Sequence, residues 1–393
     1  MFDIKREVLE LEAELVSLRR KIHETPELGY QENETSALVK QYLKEFGLTD
    51  IRTVTGTGVT AVLEGSGEGK TLLMRADMDA LPVQEETGLP YASKIPGVMH
   101  ACGHDSHTAI QLMVAKILSG HRDAFSGRIK FLFQPNEEEA GALNMINEGV
   151  LEDPKVDGAF ALHLWSPIKS GRIAVSPGPV LGTTEEFELE IVGKQGHTST
   201  PHTGRDAILG ACSVVQAVQS LGTREFDPLL PIAIMFGYIN GGTARNVITG
   251  SVKMGGTIRF LFPDEANNKP KVLAAFERVV KGQCDSLGLE YRLKYIPSNP
   301  SLYNDPHMVD IIKKSAAETY GTNDNVDNFL SLAGEDFAEF SQRVPSAMIF
   351  IGIADEKKDT CYPHHHSHFN IDEDMMKYAV ELQIRNAITF LNQ

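Results

Sequence analysis

Four short apolar runs, each stopping abruptly at charged or histidine-bearing segments, constrain this chain more than any other feature. They are Thr71–Met74 before Arg75–Asp79, Ile129–Phe133 before Gln134–Glu139, Ala159–Leu162 before His163, and Met348–Ile353 before Ala354–Lys357. Short apolar runs without alternation suit strands buried on both faces, as in a parallel sheet covered by helices. A helix-like segment from Asp105 to Leu118 lies between the first two runs, so strand and helix alternate. The expected fold class is α/β with a mainly parallel sheet. In such sheets functional groups sit at the carboxyl ends of the strands, which is where the Asp, Glu and His residues fall here.

Two other segments behave differently. The opening residues Ile4, Val8, Leu11, Leu15, Leu18 and Ile22 recur at helical spacing, which predicts one amphipathic helix laid on a core. Phe187–Val192 and Met254–Phe260 read as alternating strands, with a helix-like stretch, Arg205–Leu221, between them. This composition fits an inserted two-layer α+β domain. Its expected hinges are the Pro- and Gly-rich segment Ser176–Gly182 and the return Pro297–Pro300. The expected division is 1–182 and 296–393 for the main domain and 183–295 for the insert.

Composition narrows the function classes. The 393 residues include 37 Lys+Arg against 53 Asp+Glu, a net charge of −16, which argues against a nucleic-acid partner. No stretch approaches the about 18 continuous apolar residues of a membrane span, and residues 1–23 read as a charged helix rather than a signal peptide. Cys102, Cys212, Cys284 and Cys361 are scattered, with no sign of a disulfide framework. A cytoplasmic protein is expected.

Chemistry concentrates in four places. In His100-Ala-Cys-Gly-His-Asp-Ser-His107, Cys102 and His104 lie two apart, so both reach one divalent ion on a looping backbone; buried packing is the competing explanation. Gln134-Pro-Asn-Glu-Glu-Glu139 crowds three carboxylates at a strand end, costly unless a cation or proton neutralises them. His163 closes an otherwise apolar strand, as a core histidine or as a ligand. Tyr362-Pro-His-His-His-Ser-His-Phe369 holds four histidines, which cannot all be ligands.

These motifs, in this order, resemble the M20 metallopeptidase family. They are Arg75-Ala-Asp-Met-Asp-Ala-Leu-Pro82, His100–Asp105, Gln134–Glu138, Gly196–His202 and the late His365-His-Ser. The closest branch is its amidohydrolases, which act on N-acyl amino acids, hippurate-like compounds and auxin conjugates and include some carboxypeptidases. The resemblance implies a catalytic domain with two divalent ions (Zn, Mn, Co or Ni), interrupted by a satellite domain that commonly dimerises. It implies a small N-acyl amino acid or short peptide as substrate, and an N-acetylated diamino acid as another. Carried over position by position, Cys102 bridges the metals, while His104, Glu138, His163 and His365 complete the set. Glu137 is then the general base, and Asp79 orients a ligand histidine. In the insert, His197 corresponds to an oxyanion donor that reaches a neighbouring subunit. Asn246 and Arg259 correspond to groups that hold the substrate carboxylate, and Gly334-Glu-Asp-Phe337 to a loop near the substrate. The chain departs from the family at Asn136, Glu139 and Thr249; Glu139 leaves open which glutamates serve, and His366 stands as the alternative to His365.

Overall fold

The computed structural model describes residues 2–322 and 324–393. Its first elements are α1 (Ile4–Glu10), α2 (Glu12–His23), α3 (Asn33–Glu45), β1 (Thr49–Val54), β2 (Gly58–Glu64) and β3 (Thr71–Asp77). Then come α4 (His104–Gly120), β4 (Arg128–Gln134), α5 (Ala142–Asn147), β5 (Gly158–Lys169), β6 (Ile173–Ala174) and β7 (Gly178–Leu181). The middle of the chain forms β8 (Thr183–Val192), β9 (Gly196–His197), α6 (Ala207–Val218), α7 (Leu221–Arg224), β10 (Ile232–Gly241) and β11 (Val247–Ile248). It continues with β12 (Ser251–Phe260), α8 (Glu265–Leu287), β13 (Glu290–Pro297) and β14 (Leu302–Asn304). The last elements are α9 (Pro306–Tyr320), β15 (Val326–Asp327), α10 (Ala338–Ser341), β16 (Ser346–Ala354) and α11 (Asp374–Leu391).

Two compact units result. One comprises 1–178, 303–329 and 335–393; the other comprises 179–302 and 330–334. The first is built on an eight-stranded sheet of order β1-β2-β4-β3-β5-β16-β6-β15. Its centre, β4-β3-β5-β16, is parallel throughout. The expected α/β class therefore holds, with β1 and β2 added antiparallel at one margin. The four apolar runs are these central strands, and β3 is buried along its whole length. Because they run in one direction, their carboxyl ends fall along one edge of the sheet.

The predicted single opening helix is instead two. The chain breaks at Leu11 (φ −100°, ψ 0°), after which α1 packs on α11 while α2 packs on α4. α1 thereby buries its apolar stripe on α11, while α2 buries its own chiefly on α4 and also touches α11.

The second unit is a four-stranded antiparallel sheet, β10-β12-β8-β13, with α6 and α8 packed together on it. Phe187, Leu189 and Ile191 alternate inward along β8 and meet Val214, Phe276 and Val280 of the two helices. Asp206 caps α6 by accepting the Ile208 and Leu209 N–H groups, which sets the helix start.

Candidate metal centre

The sheet edge of the first unit gathers the groups that carry chemistry. Asp77 ends β3 and Asp79 follows it, Glu137 and Glu138 follow β4, and His163 lies on β5. Gly103, at φ +93°, turns the chain between Cys102 and His104 into α4, a conformation that glycine adopts without strain. Candidate ligand atoms of Cys102, His104 and His163 lie within 4.8 Å of one another, as do those of Cys102, Glu138 and His365 and those of His104, Glu137 and Glu138. His104 Nε2 is 3.9 Å from Glu137 Oε2 and 4.0 Å from Glu138 Oε1; His365 Nε2 is 3.5 Å from Glu138 Oε1. Tetrahedral ligands at about 2.1 Å from one ion are about 3.4 Å apart, so these spacings suit shared cations.

Hydrogen bonding decides which imidazoles have a nitrogen to give. His104 Nδ1 donates to the Asp79 carbonyl (2.9 Å) and approaches its carboxylate (3.1 Å). That leaves Nε2 buried without a partner. His163 Nδ1 donates to the Leu164 carbonyl at 2.7 Å, so its Nε2, 3.6 Å from Cys102 Sγ, carries the lone pair. His107 is fully committed: Nε2 accepts the Leu164 N–H (3.0 Å) and Nδ1 donates to Asp77 (2.6 Å). His364 is committed too, donating from Nε2 to the Leu164 carbonyl while Nδ1 meets Ser166. His365, at φ +65°, is brought to Glu138, whereas His366 stacks on Tyr362 and accepts the His368 N–H. Glu139 is exposed; Glu137 is buried and Glu138 nearly so.

The charge state of the protein groups also calls for a cation. Burial, with Glu138, Glu137 and Asp77 close by, pushes the Cys102 thiol well up. Burial together with Glu335, Asp336 and Glu138 lifts Glu137 well above the carboxylate range. His104 is pushed up to about 10: burial opposes its charge, but Asp77, Asp79 and Glu138 outweigh burial. Glu138 Oε1 is buried without a hydrogen bond. A thiol, two imidazoles tied to backbone carbonyls through Nδ1 and clustered carboxylates together fit borderline divalent ions.

Sequence reasoning missed what supports this cluster. Arg75 is wholly buried and donates to Gln134 (2.9 Å), Asp77 (2.6 Å), Glu335 (2.9 Å) and Asp336 (2.9 Å). Glu335 and Asp336, expected near the substrate, thus lie beneath Glu137, with ligand atoms of all three within 4.8 Å. A signal existed: an arginine inside an apolar strand has to be paired.

The other predicted residues belong to the second unit. His197 and Asn246 are neighbours, since β9 pairs with β11 and the Asn246 carbonyl accepts the Thr198 N–H at 3.2 Å. His197 is exposed, and its Nδ1 accepts the Ser199 N–H at 3.1 Å, which places the ring proton on Nε2. Arg259 lies on β12 opposite Ala233 and Thr184 and donates to the Leu332 carbonyl at 3.0 Å. Among the described residues it has no acidic partner. Gly334 lies beside it, a Cβ there being 3.9 Å from Arg259 Nη1.

A mainly parallel α/β sheet with donors for divalent ions and a free carboxylate at its strand ends defines a metal-dependent hydrolase. Comparison with known proteins specifies which. The model of the peptidase family M20/M25/M40 matches residues 73–385. The chain is 37% identical to thermostable carboxypeptidase 1 of Saccharolobus solfataricus, over 99% of this chain and 98% of that one. It is 41% identical to the N-acyl-L-amino acid amidohydrolase of Geobacillus stearothermophilus, over 75% and 78% of the two chains. It also superimposes on a dinuclear metal-binding M20 peptidase of Bacillus subtilis with a TM-score of 0.84 and 32% identity, over 97% and 99% of the chains. The chain belongs to the M20 family of metallopeptidases and amidohydrolases.

Proposed function

We propose that this protein hydrolyses the amide bond of small N-acyl amino acids, releasing the free amino acid. The observation that carries the reading is the meeting of His104 Nε2, which has no partner, and His163 Nε2, which meets the Cys102 thiol, with Glu138 and His365 around Glu137. Cys102, which belongs to two of these groups of donor atoms, would hold two divalent ions together with His104, Glu138, His163 and His365, with Asp79 orienting His104. The native ion is drawn from zinc, manganese, cobalt or nickel. Such ions, when bound, lower the pKa of water to about 7 and polarise a carbonyl oxygen.

The chain's own groups do the rest. Glu137 accepts a proton from the attacking water and returns it to the departing amine, which otherwise leaves poorly. His197, with its proton on Nε2, donates to the developing oxyanion, from a neighbouring subunit as in the family. Asn246, Arg259 and Gly334 hold the substrate's α-carboxylate, and the lack of an acidic partner on Arg259 supports that role. Arg259→Met is expected to raise KM for N-acetylmethionine by about tenfold or more while changing hydrolysis of the corresponding primary amide about twofold at most. Equal losses on both would remove Arg259 from carboxylate recognition. A carboxypeptidase or dipeptidase action needs the same grip and the same ions, and the similarity to the Saccharolobus carboxypeptidase favours it as the second reading.

In this reading the first unit, expected as 1–182 and 296–393, is the catalytic domain, and the second, expected as 183–295, is the satellite domain through which two copies pair. Strand β10 supports pairing: it is the sheet's edge, and Met235, Tyr238 and Ile239 on it are exposed. Sedimentation equilibrium is expected to show a dimer, and Met235→Glu with Ile239→Lys to shift it to monomer with loss of turnover; a fully active monomer would contradict this. This reading places the protein in the cytoplasm; no helix of the described residues is long and apolar enough to cross a membrane.

A further inference from the structure

The turn that carries Glu137 and Glu138 is unusual in how its backbone is held. It begins at Asn136 (φ +56°) and ends at Ala140 (φ +60°), two non-glycine residues in the left-handed region. Such a turn persists only if its surroundings enforce it. Three carboxylates do so by accepting amides in and just after it: Glu32 takes Asn136 N–H (3.0 Å), Asp79 takes Glu138 N–H (3.1 Å) and Asp336 takes Ala142 N–H at the start of α5 (2.8 Å). Asp79 and Asp336 have cationic partners nearby in His104 and Arg75. Glu32 has none.

Glu32 is completely buried, and among the described residues it forms no ion pair. Its other oxygen accepts the Thr57 hydroxyl. A buried carboxylate without a cation is costly, so its retention needs a reason. Helix capping is not that reason, although Glu32 occupies the N-cap position of α3. Its side chain makes no cap bond. The capping is done by Glu27, whose oxygens accept Glu34 N–H (3.0 Å), Thr35 N–H (2.9 Å) and the Thr35 hydroxyl (2.9 Å). Glu27 thus releases Glu32 to reach the acidic turn. The same segment touches that region twice more. A Cβ on Gly29 would lie 2.0 Å from Asn136 Oδ1, and the Tyr30 hydroxyl accepts from Asn144 Nδ2 at 2.7 Å.

We infer that residues 28–32 form a strap across the acidic turn and that Glu32 is a positioning residue for Glu137, acting through the Asn136 amide. This rests on the reading of Glu137 as general base. A glutamine at 32 keeps the shape but offers one acceptor oxygen where two are used. The base then drifts, and misplacement by about 1 Å costs about a hundredfold in rate.

The test uses the full-length, metal-loaded enzyme with N-acetylmethionine, measuring kcat, KM, Tm and amide hydrogen exchange over 136–142. Glu32→Gln is expected to lower kcat about 10- to 100-fold, leave KM within about threefold and speed exchange in the turn. Glu27→Gln is the control for damage to the same helix: it should lower Tm and leave kcat within about twofold. Should Glu32→Gln not fold, Gly29→Ala displaces Asn136 instead and is expected to give the same kcat loss and faster exchange. The inference is overturned by kcat within about twofold of the parent, by equal kcat losses in Glu27→Gln, or by unchanged exchange in the turn. Failure of the underlying reading looks different. Glu137→Gln would then turn over normally, while the exchange measurement would still decide whether Glu32 holds the turn.

Discussion

Glu137→Gln is expected to retain its divalent ions and to lose at least about 10³-fold in kcat on N-acetylmethionine. The substitution changes no volume and removes only the ability to take a proton. The proposed ligands Cys102, His104, Glu138, His163 and His365 all stay in place, so metal content by mass spectrometry should match the parent. The environment of Glu137 suits its task. Burial and the acids Glu335, Asp336 and Glu138 raise its proton affinity, which helps it take a proton from water and hold it for the amine. Residual turnover above a few per cent of the parent would move the base role to another group.

Arg75→Met is expected to have the largest effect on stability. Its guanidinium is fully buried among Asp77, Glu335 and Asp336, with Gln134 completing its hydrogen bonds. Removing one partner of a buried ionic network leaves uncompensated charge and typically costs about 3–5 kcal/mol. For a chain of 393 residues that is about 4–6 °C in Tm. The sign of the pH dependence follows from linkage. In the parent, burial raises the Asp77 carboxyl, but His104, His107 and Arg75 outweigh it and hold the group well below the usual range. Its contribution is therefore present above the unfolded pKa of about 3.9 and is lost as pH falls through the lower folded value. Asp336 already sits at about 8, pushed up by burial and opposed by Arg75. Without Arg75, folded Asp336 binds its proton more tightly still than in the unfolded chain, so the variant's stability falls as pH rises. The Tm deficit of the variant should be larger at pH 8 than at pH 5.5. A deficit under about 2 °C at both would show that the arginine is dispensable.

The central strands were legible because burial on both faces leaves an unbroken apolar run, and their polar ends pointed to the edge where the donors gather. The antiparallel margin was less legible, because nothing local in Gly58–Glu64 fixes the direction of its partner. At Leu11 an unbroken apolar stripe gave no sign that the chain would break there and turn its second half chiefly onto α4. The acidic run 137–139 shows where composition stops. Three identical residues were indistinguishable until the turn buried Glu137, placed Glu138 beside His365 and left Glu139 in solvent. Histidine roles were least legible of all. His104 and His107 lie on one helix, and only the Leu164 amide, 57 residues from His107, separates the committed ring from the available one. The same holds for Arg75, whose partners Glu335 and Asp336 are 260 and 261 residues away in sequence. Contacts of that range are set by topology, and a local pattern does not contain them.

The most direct test is metal removal and restoration. The enzyme would be stripped with a chelator, shown to remain folded, and then given Zn²⁺, Mn²⁺, Co²⁺ or Ni²⁺ singly. Amino-acid release would be followed on N-acetyl, N-benzoyl and dipeptide substrates, with Glu137→Gln in parallel. The expected result is no release from the stripped protein, and release from at least one N-acyl amino acid restored by two ions per chain but not in the variant. Full activity in the stripped protein, or a folded protein that binds no divalent ion, would contradict a dinuclear hydrolase built on Cys102, His104, Glu138, His163 and His365.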